Sequence, residues 1–387
     1  MTYLALAILF FWLVKGLELI VGVLFLIPAL KKPSFSPHPF PASGSIPKVS
    51  IIFGAKDEEH KIRDAVLSMI QQDYPHFEVI AVNDRSTDST VAILGTMPKS
   101  ERFRVVNITH LPEGWLGKTH ALYQGYQLSS GDWLLFTDAD VQFDSSTLRS
   151  AINAVQKYHL DHLVLYPRLM TKSYVEAIFI HTFTFFFYLW YRPWAARFRY
   201  DPAFVGIGSF NLVKRSIYEA IGTHQDLALQ VADDMMLGKR IKSSGYRQML
   251  MNGQELLTEH WVEGFQGVMD CLRKNAFAGL HYSIPFLVFL SFMLFLFDIL
   301  PFIGVFFAGP PASYFFMVSA GMIFLIYGVQ HKFDRQSLAT FPAHPLGSLL
   351  MLAIMWRSAL TILKEGGVWW RDTFYPLELL KEAGKNH

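Results

Sequence analysis

Long apolar tracts bracket a mixed middle, and that bracketing restricts this chain to folds that combine membrane helices with a globular domain. Residues 4–30 form one tract, interrupted by Lys15 and Glu18. Residues 284–308 and 313–329 form two more around the turn Gly309-Pro310-Pro311. A spanning helix needs about 20 apolar residues, so each tract is read as a span. Lys15 and Glu18 are three apart, share a helix face and can pair. The first tract is too long for a signal-peptide core and has no small-residue cleavage site. Lys31-Lys32 and, later, His331-Lys332 and Arg335 mark the cytoplasmic side. Leu346–Met355 offers only about ten apolar residues before Trp356-Arg357, which suits a re-entrant or interfacial segment over 346–363. The expectation is three spans plus one surface-lying segment, with the N-terminus outside and the large domain and the tail in the cytoplasm. A fourth span would place the tail outside. Asp298, inside the second span, is costly there, and the sequence names no partner for it.

Composition agrees. Charged residues make up 17% of the 387 and hydrophobic ones 52%, against roughly 25% charged in soluble domains. A net charge of +2 gives no ground for nucleic-acid binding. Cys271 is the single cysteine, which excludes an intrachain disulfide and suits a reducing compartment. The divisions expected are a helix over 1–31, a Pro-rich linker over 32–48, a domain over 49–282, two spans over 284–329 and a terminal region over 330–387.

From Val49 onward strand and helix alternate. Val49–Phe53 reads as a buried strand, followed by the polar run Gly54-Ala55-Lys56-Asp57-Glu58-Glu59 and a helix through Ile70. Phe77–Val82 is a second strand, closed by Asn83-Asp84-Arg85-Ser86-Thr87-Asp88; a third lies near Phe103–Ile108. The alternation implies an α/β domain with a mostly parallel sheet flanked by helices. In such sheets ligands bind beyond the carboxyl ends of the strands, where these polar clusters fall.

The run Trp133-Leu134-Leu135-Phe136 delivers Asp138 and Asp140 to a strand mouth. Two carboxylates one residue apart are a compact oxygen pair for Mg²⁺ or Mn²⁺, and such a cation neutralises a diphosphate leaving group. Asp84 can accept from a base or ribose, or can cap a helix; Asp88 is read mainly as a cap. Asp57 and Glu58 carry the same two readings. Lys118, in Gly114-Trp115-Leu116-Gly117-Lys118, sits at a helix start, where a cation is unfavourable unless an anion is close. Gly206-Ile207-Gly208-Ser209-Phe210-Asn211 is expected to open onto a helix. Asp233 and Asp234 begin another; adjacent carboxylates repel, which raises one pKa and suits a general base, although capping is the plainer alternative. Phe179–Trp194 is dense in aromatics and reads either as core or, with Arg192 and Arg197, as a helix at a bilayer interface.

Over residues 48–280 these motifs resemble the family 2 glycosyltransferases, inverting nucleotide-sugar enzymes with the GT-A fold. Val49–Glu59 is similar to their opening strand and loop, with Asp57 in place of the usual Asn, and Val82–Thr90 to their nucleoside loop. Asp138-Ala139-Asp140 stands at the metal motif and Asp233-Asp234 at the usual Glu-Asp. The resemblance implies that Ala55, Asp57, Glu58, Asp84, Lys118 and Asp138 hold a nucleotide diphosphate sugar, with uridine the expected base. It implies Asp140 and Asp138 as metal ligands, and Asp234, beside Asp233, as the catalytic base. Gly114–Lys118, Arg273–Gly279 and Trp370–Tyr375 further resemble the membrane-bound lipid glycosyltransferases of hopanoid and carotenoid biosynthesis. That implies a hexosyltransferase of the bacterial cytoplasmic membrane acting on a lipid hydroxyl or carboxyl. No Gln-x-x-Arg-Trp follows Asp234, which with the few spans disfavours a processive polysaccharide synthase. Acids at 84, 138, 140 and 234 disfavour a non-enzymatic membrane scaffold with a decayed transferase domain.

Overall fold

The structure, a computed structural model, describes residues 1–32, 46–98, 100–370 and 372–385. Most of the expected linker, and Arg371 of the Trp370–Tyr375 motif, lie outside the described residues. The chain forms two compact units. One comprises Ile27–Met170 and Pro193–His260, the other Met1–Leu26, Thr171–Arg192 and Trp261–His387. Residues 171–192 and 261–282 thus leave the single domain expected over 49–282 and join the apolar helices.

In the α/β unit the strands are β1 (Val49–Ala55), β2 (Phe77–Asp84), β3 (Phe103–Ile108), β4 (Trp133–Phe136), β5 (Gln142–Phe143), β6 (His162–Tyr166), β7 (Arg168–Leu169), β8 (Asn211–Lys214), β9 (Gln248–Asn252) and β10 (Leu257–Glu259). Seven of them form one sheet in the order β3-β2-β1-β4-β8-β6-β9. Its pairings are parallel except where β8 runs antiparallel between β4 and β6. Both faces are covered, which explains why the strands read as continuous apolar runs rather than alternating ones. Ile51 and Phe53 pack with Ile62, Ala65, Val66 and Met69 of the helix Ile62–Ile70, whose spacing is that of one helical stripe. Ile52, Leu134 and Phe136 face the other way, toward Leu122 and Leu237.

The glycine-rich loop 206–210 opens onto β8, not onto a helix. Leu212 and Val213 are wholly buried between two strands, so their apolar, branched character favours extended pairing. A smaller sheet sets β10 antiparallel to β5 and parallel to β7, and so carries Glu259 toward the loop that follows β4.

In the helical unit four segments are long and apolar enough to cross a membrane, by length and composition: Thr2–Leu26, Ile284–Phe307, Ala312–Asp334 and Leu338–Glu365. The last contains a helix of 22 residues, longer than its apolar run suggested. Lys15 and Glu18 pair at 2.8 Å as expected, and Glu18 also accepts from Arg192. The helix Tyr174–Tyr191 is largely core: Phe179, Ile180, Phe185 and Tyr188 are buried, with the Phe185 ring 5.7 Å from that of Trp12. Asp298 has a partner, His344 Nε2, at 3.3 Å.

At Gly206 the backbone approach is close enough to require glycine. A Cβ on Gly206 would lie 1.8 Å from the carbonyl oxygen of Asp234, so loop 204–208 packs backbone against backbone on the first turn of the helix Asp233–Ser243. Overpacking of this kind costs about 1–3 kcal/mol. Gly206→Ala is expected to lower the melting temperature of the purified protein; an unchanged melt would contradict the packing described.

Candidate active site

The carboxyl ends of β1, β2 and β4 and the start of the helix Asp233–Ser243 supply the polar groups of one site. Asp138 leaves β4 two residues after Phe136. Its Oδ1 accepts from Lys118 Nζ at 2.6 Å, and the same ammonium lies 3.7 Å from Asp233 Oδ1. Lys118 stands in the first turn of the helix Gly117–Leu128, where the helix dipole opposes a cation. The anions that offset this are the protein's own carboxylates. Burial alone would depress the lysine; Asp138, Asp233 and Asp234 outweigh it and raise its pKa well above the ordinary value.

Asp140 Oδ2 lies 3.4 Å from Lys61 Nζ, and that lysine also donates to the His260 carbonyl at 2.9 Å. Burial, and then the neighbouring Asp138, push the Asp140 pKa up despite Lys61. Asp234 is pushed up to about 6, first by burial and then by Asp233, with Lys118 pulling the other way. Its Oδ1 accepts the Met235 N–H at 2.7 Å. Both acids lie in the first turn of their helix, where its dipole favours negative charge. The N-cap position itself is Ala232.

Glu259 is the acid that the sequence did not reveal. Buried on β10, it accepts from Ser209 Oγ at 2.5 Å, and burial with the charges of Asp140 and Asp138 pushes it up to about 8. Lys61 was also missed as an Asp140 partner. Neither has a local signature, because both reach the site through pairings distant in sequence.

Asp84 closes β2 and is buried. Arg85 Nε and Nη2 donate to it at 2.8 and 3.2 Å, and it packs so tightly on Gly117 that a Cβ there would meet Oδ2 at 2.2 Å. Ala55 ends β1 and is buried. Asp57, at φ 55°, accepts the Thr87 N–H at 2.7 Å. The Glu58 N–H donates to Thr90 Oγ1 at 2.8 Å. Asp88 accepts from both Thr90 and Glu59 backbone N–H groups; it stands one residue before the N-cap Ser89 and laces the β1 loop to the β2 loop. The structure therefore gathers Asp138, Asp140, Asp233, Asp234 and Lys118 into one cluster. Asp57 and Glu58 lie in the cross-tied loops beside it.

Among the described residues no three His, Cys, Asp or Glu side chains form a metal-holding group. Asp138 and Asp140 offer hard oxygen donors in a cluster with more carboxyls than lysines. Such a pair fits a Mg²⁺-like cation, which is commonly held by one or two carboxylates together with substrate phosphate and water.

A family model described as glycosyl transferase family 2 matches residues 50–222. Two curated relatives are 4,4'-diaponeurosporenoate glycosyltransferases of Staphylococcus aureus, from strains MRSA252 and USA300, each 27% identical over 238 and 235 residues respectively. The matches cover 60% of this chain and 61% of each relative, which is less than two thirds of their length. Among solved structures, the mannosyltransferase PcManGT from Pyrobaculum calidifontis, in complex with GDP-Man and Mn²⁺, has a TM-score of 0.56 at 19% identity and covers 94% of this chain and 99% of that one. That likeness establishes the shared GT-A fold.

The raised Glu259 pKa has a consequence for stability. Its folded value of about 8 lies above the usual carboxylate value of about 4.3, so the folded state holds the proton longer. The associated stability is complete below about pH 4 and is lost as pH rises through about 8. In EDTA, thermal melts should fall between pH 5 and pH 8, and Glu259→Gln should flatten that fall; an equally steep fall in the variant would contradict the assignment.

Proposed function

We propose, from the premise that residues 50–222 are a glycosyl transferase family 2 domain, that this chain moves one sugar from a nucleotide diphosphate sugar to a membrane lipid with inversion at the anomeric carbon. The observation that carries the proposal is Lys118, standing between Asp138 at 2.6 Å and Asp233 at 3.7 Å, which places a charge-tuned pair of acids beside a carboxylate pair suited to a diphosphate-bound cation.

In this reading Asp140 and Asp138 hold Mg²⁺ or Mn²⁺, which when bound neutralises charge on the departing diphosphate. Asp84, Asp57, Glu58 and the backbone at Ala55 receive the nucleoside. Lys118 exchanges a carboxylate partner for a donor phosphate oxygen. Asp234 takes the proton of the acceptor hydroxyl, whose oxygen attacks the anomeric carbon opposite the leaving group, or orients an acceptor already ionised as carboxylate. A base with a pKa near 6 is ionised at neutral pH and can still accept a proton as the nucleophile forms its bond. The carotenoid glycosyltransferases and the apolar helices support a lipid acceptor. Lys31, Lys32, Lys332 and Arg335 support a bacterial cytoplasmic membrane with the catalytic domain on the cytoplasmic side.

The test is transfer from a panel of nucleotide sugars to total membrane lipid extract by purified protein in Mn²⁺. One donor is expected to yield a labelled glycolipid, abolished by EDTA. Asp234→Asn should cut turnover by about 10²–10⁴-fold, the usual worth of a general base, and Asp140→Asn should abolish it, both with native melts. Full activity in both variants would overturn the proposal. Turnover should rise with pH through about 6 as Asp234 ionises. Lys118→Met should move that rise to higher pH, because the lysine holds the Asp234 pKa down; a rise left in place would remove Asp234 as the base.

A further inference from the structure

The helical unit contains a packing order that length and hydropathy do not convey. The helices Ile284–Phe307 and Ala312–Asp334 form an antiparallel pair around the turn at Pro310-Pro311, so Ser283 and Asp334 end on one face and Phe307 and Ala312 on the other. The next helix, His344–Glu365, begins far from either face. His344 Nε2 meets Asp298 Oδ1 at 3.3 Å and its Nδ1 meets the Tyr327 hydroxyl at 2.9 Å. At about 1.5 Å of rise per residue, Asp298 is about 13 Å from Phe307 and Tyr327 about 10 Å from Asp334, so His344 lies well inside the apolar layer. From there the partners step back toward Ser283. Trp356 Nε1 donates to Ser291 Oγ at 3.0 Å, and Arg357 pairs with Asp270 at 3.1 Å. Ser358 Oγ donates to the Arg273 carbonyl at 2.5 Å and accepts the Phe277 N–H at 3.2 Å.

We infer that Leu338–Glu365 is re-entrant: it dips into the bilayer and returns to the face that carries Ser283 and Asp334. Asp298, His344 and Tyr327 hold its deep end. A bilayer tolerates irregular backbone only where protein covers it. His344 is wholly buried, as is Thr340 in the preceding turn, whose hydroxyl meets His181 Nδ1 at 2.5 Å.

The return fixes what the C-terminal hairpin faces. Gly366, in the left-handed conformation, joins the helix directly to strand β11 (Gly367–Trp370), which pairs with β12 (Thr373–Pro376). Val368 and Tyr375 point inward and are buried, whereas Trp369 and Phe374, cross-strand neighbours with ring centroids 5.2 Å apart, are 49% and 37% exposed. Lys274 Nζ lies 3.2 Å from the centre of the Trp370 ring. An aromatic pair on a two-stranded ribbon, beside a lysine and one residue past an apolar helix, has the make-up of a bilayer interface anchor. The occupant of this face is the lipid headgroup layer on the Ser283 side.

Single cysteines at Tyr3, Gly309, Lys332 and Lys381, in a Cys271→Ser background, test this in sealed vesicles of one orientation with a membrane-impermeant maleimide. Lys332 and Lys381 should label from the same side, and Tyr3 and Gly309 only from the other. Labelling of Lys381 together with Gly309 would make the segment a fourth crossing and overturn the inference. A bimane probe at Phe374→Cys should be quenched by lipids brominated near the headgroup. Quenching by aqueous iodide alone would remove the hairpin from the interface. Neither readout depends on which donor, if any, the protein uses.

Discussion

The α/β unit depends on the placement of one ammonium group. Lys118 sits where a helix N-terminus disfavours it, and it is kept there by carboxylates from two other elements, Asp138 after β4 and Asp233 at the head of Asp233–Ser243. Buried charges are stable only when paired, so the cluster fixes three segments relative to one another. The close approach of Gly206 to Asp234 and of Gly117 to Asp84 follows from the same convergence. Burial, and then the nearness of the other carboxyls, raises the pKa values of Asp140, Asp234 and Glu259. A cluster with more acids than lysines suits a divalent cation.

Much of this was legible in the chain because it is local. Apolar runs ending in acids gave β1, β2 and β4 and the positions of Asp84, Asp138 and Asp140. The misfit of a lysine at a helix start pointed to an anion near Lys118, and the structure shows protein carboxylates in that role. The Lys15–Glu18 pair follows from helical spacing alone. Glu259 and Lys61 were not legible, since β10 reaches the site by pairing with β5 and β7, and nothing in Thr258-Glu259-His260 announces that pairing. The loop at 206–210 misled for a related reason: glycines mark a turn but do not say whether a strand or a helix follows.

The aromatic helix shows a different limit. Composition cannot separate a buried aromatic stripe from an interfacial one, because both need large apolar rings with polar tips. Contacts decide it: Tyr188 donates to Asp334 at 3.0 Å and Phe185 packs on Trp12. Asp298 is the complementary case, an acid in a helix long and apolar enough to cross a membrane, whose partner, His344, is distant in sequence and comes from the segment hardest to classify by hydropathy.

The central claim is that Asp138 and Asp140 form half of a cation site completed by a nucleotide diphosphate. Calorimetric titration of the purified protein with Mn²⁺, with UDP or GDP, and with both together tests it directly. Strong cooperativity between metal and nucleotide, lost in Asp138→Asn and Asp140→Asn, is the predicted result. Metal binding that is indifferent to both substitutions, or nucleotide binding that is indifferent to metal, would contradict the account.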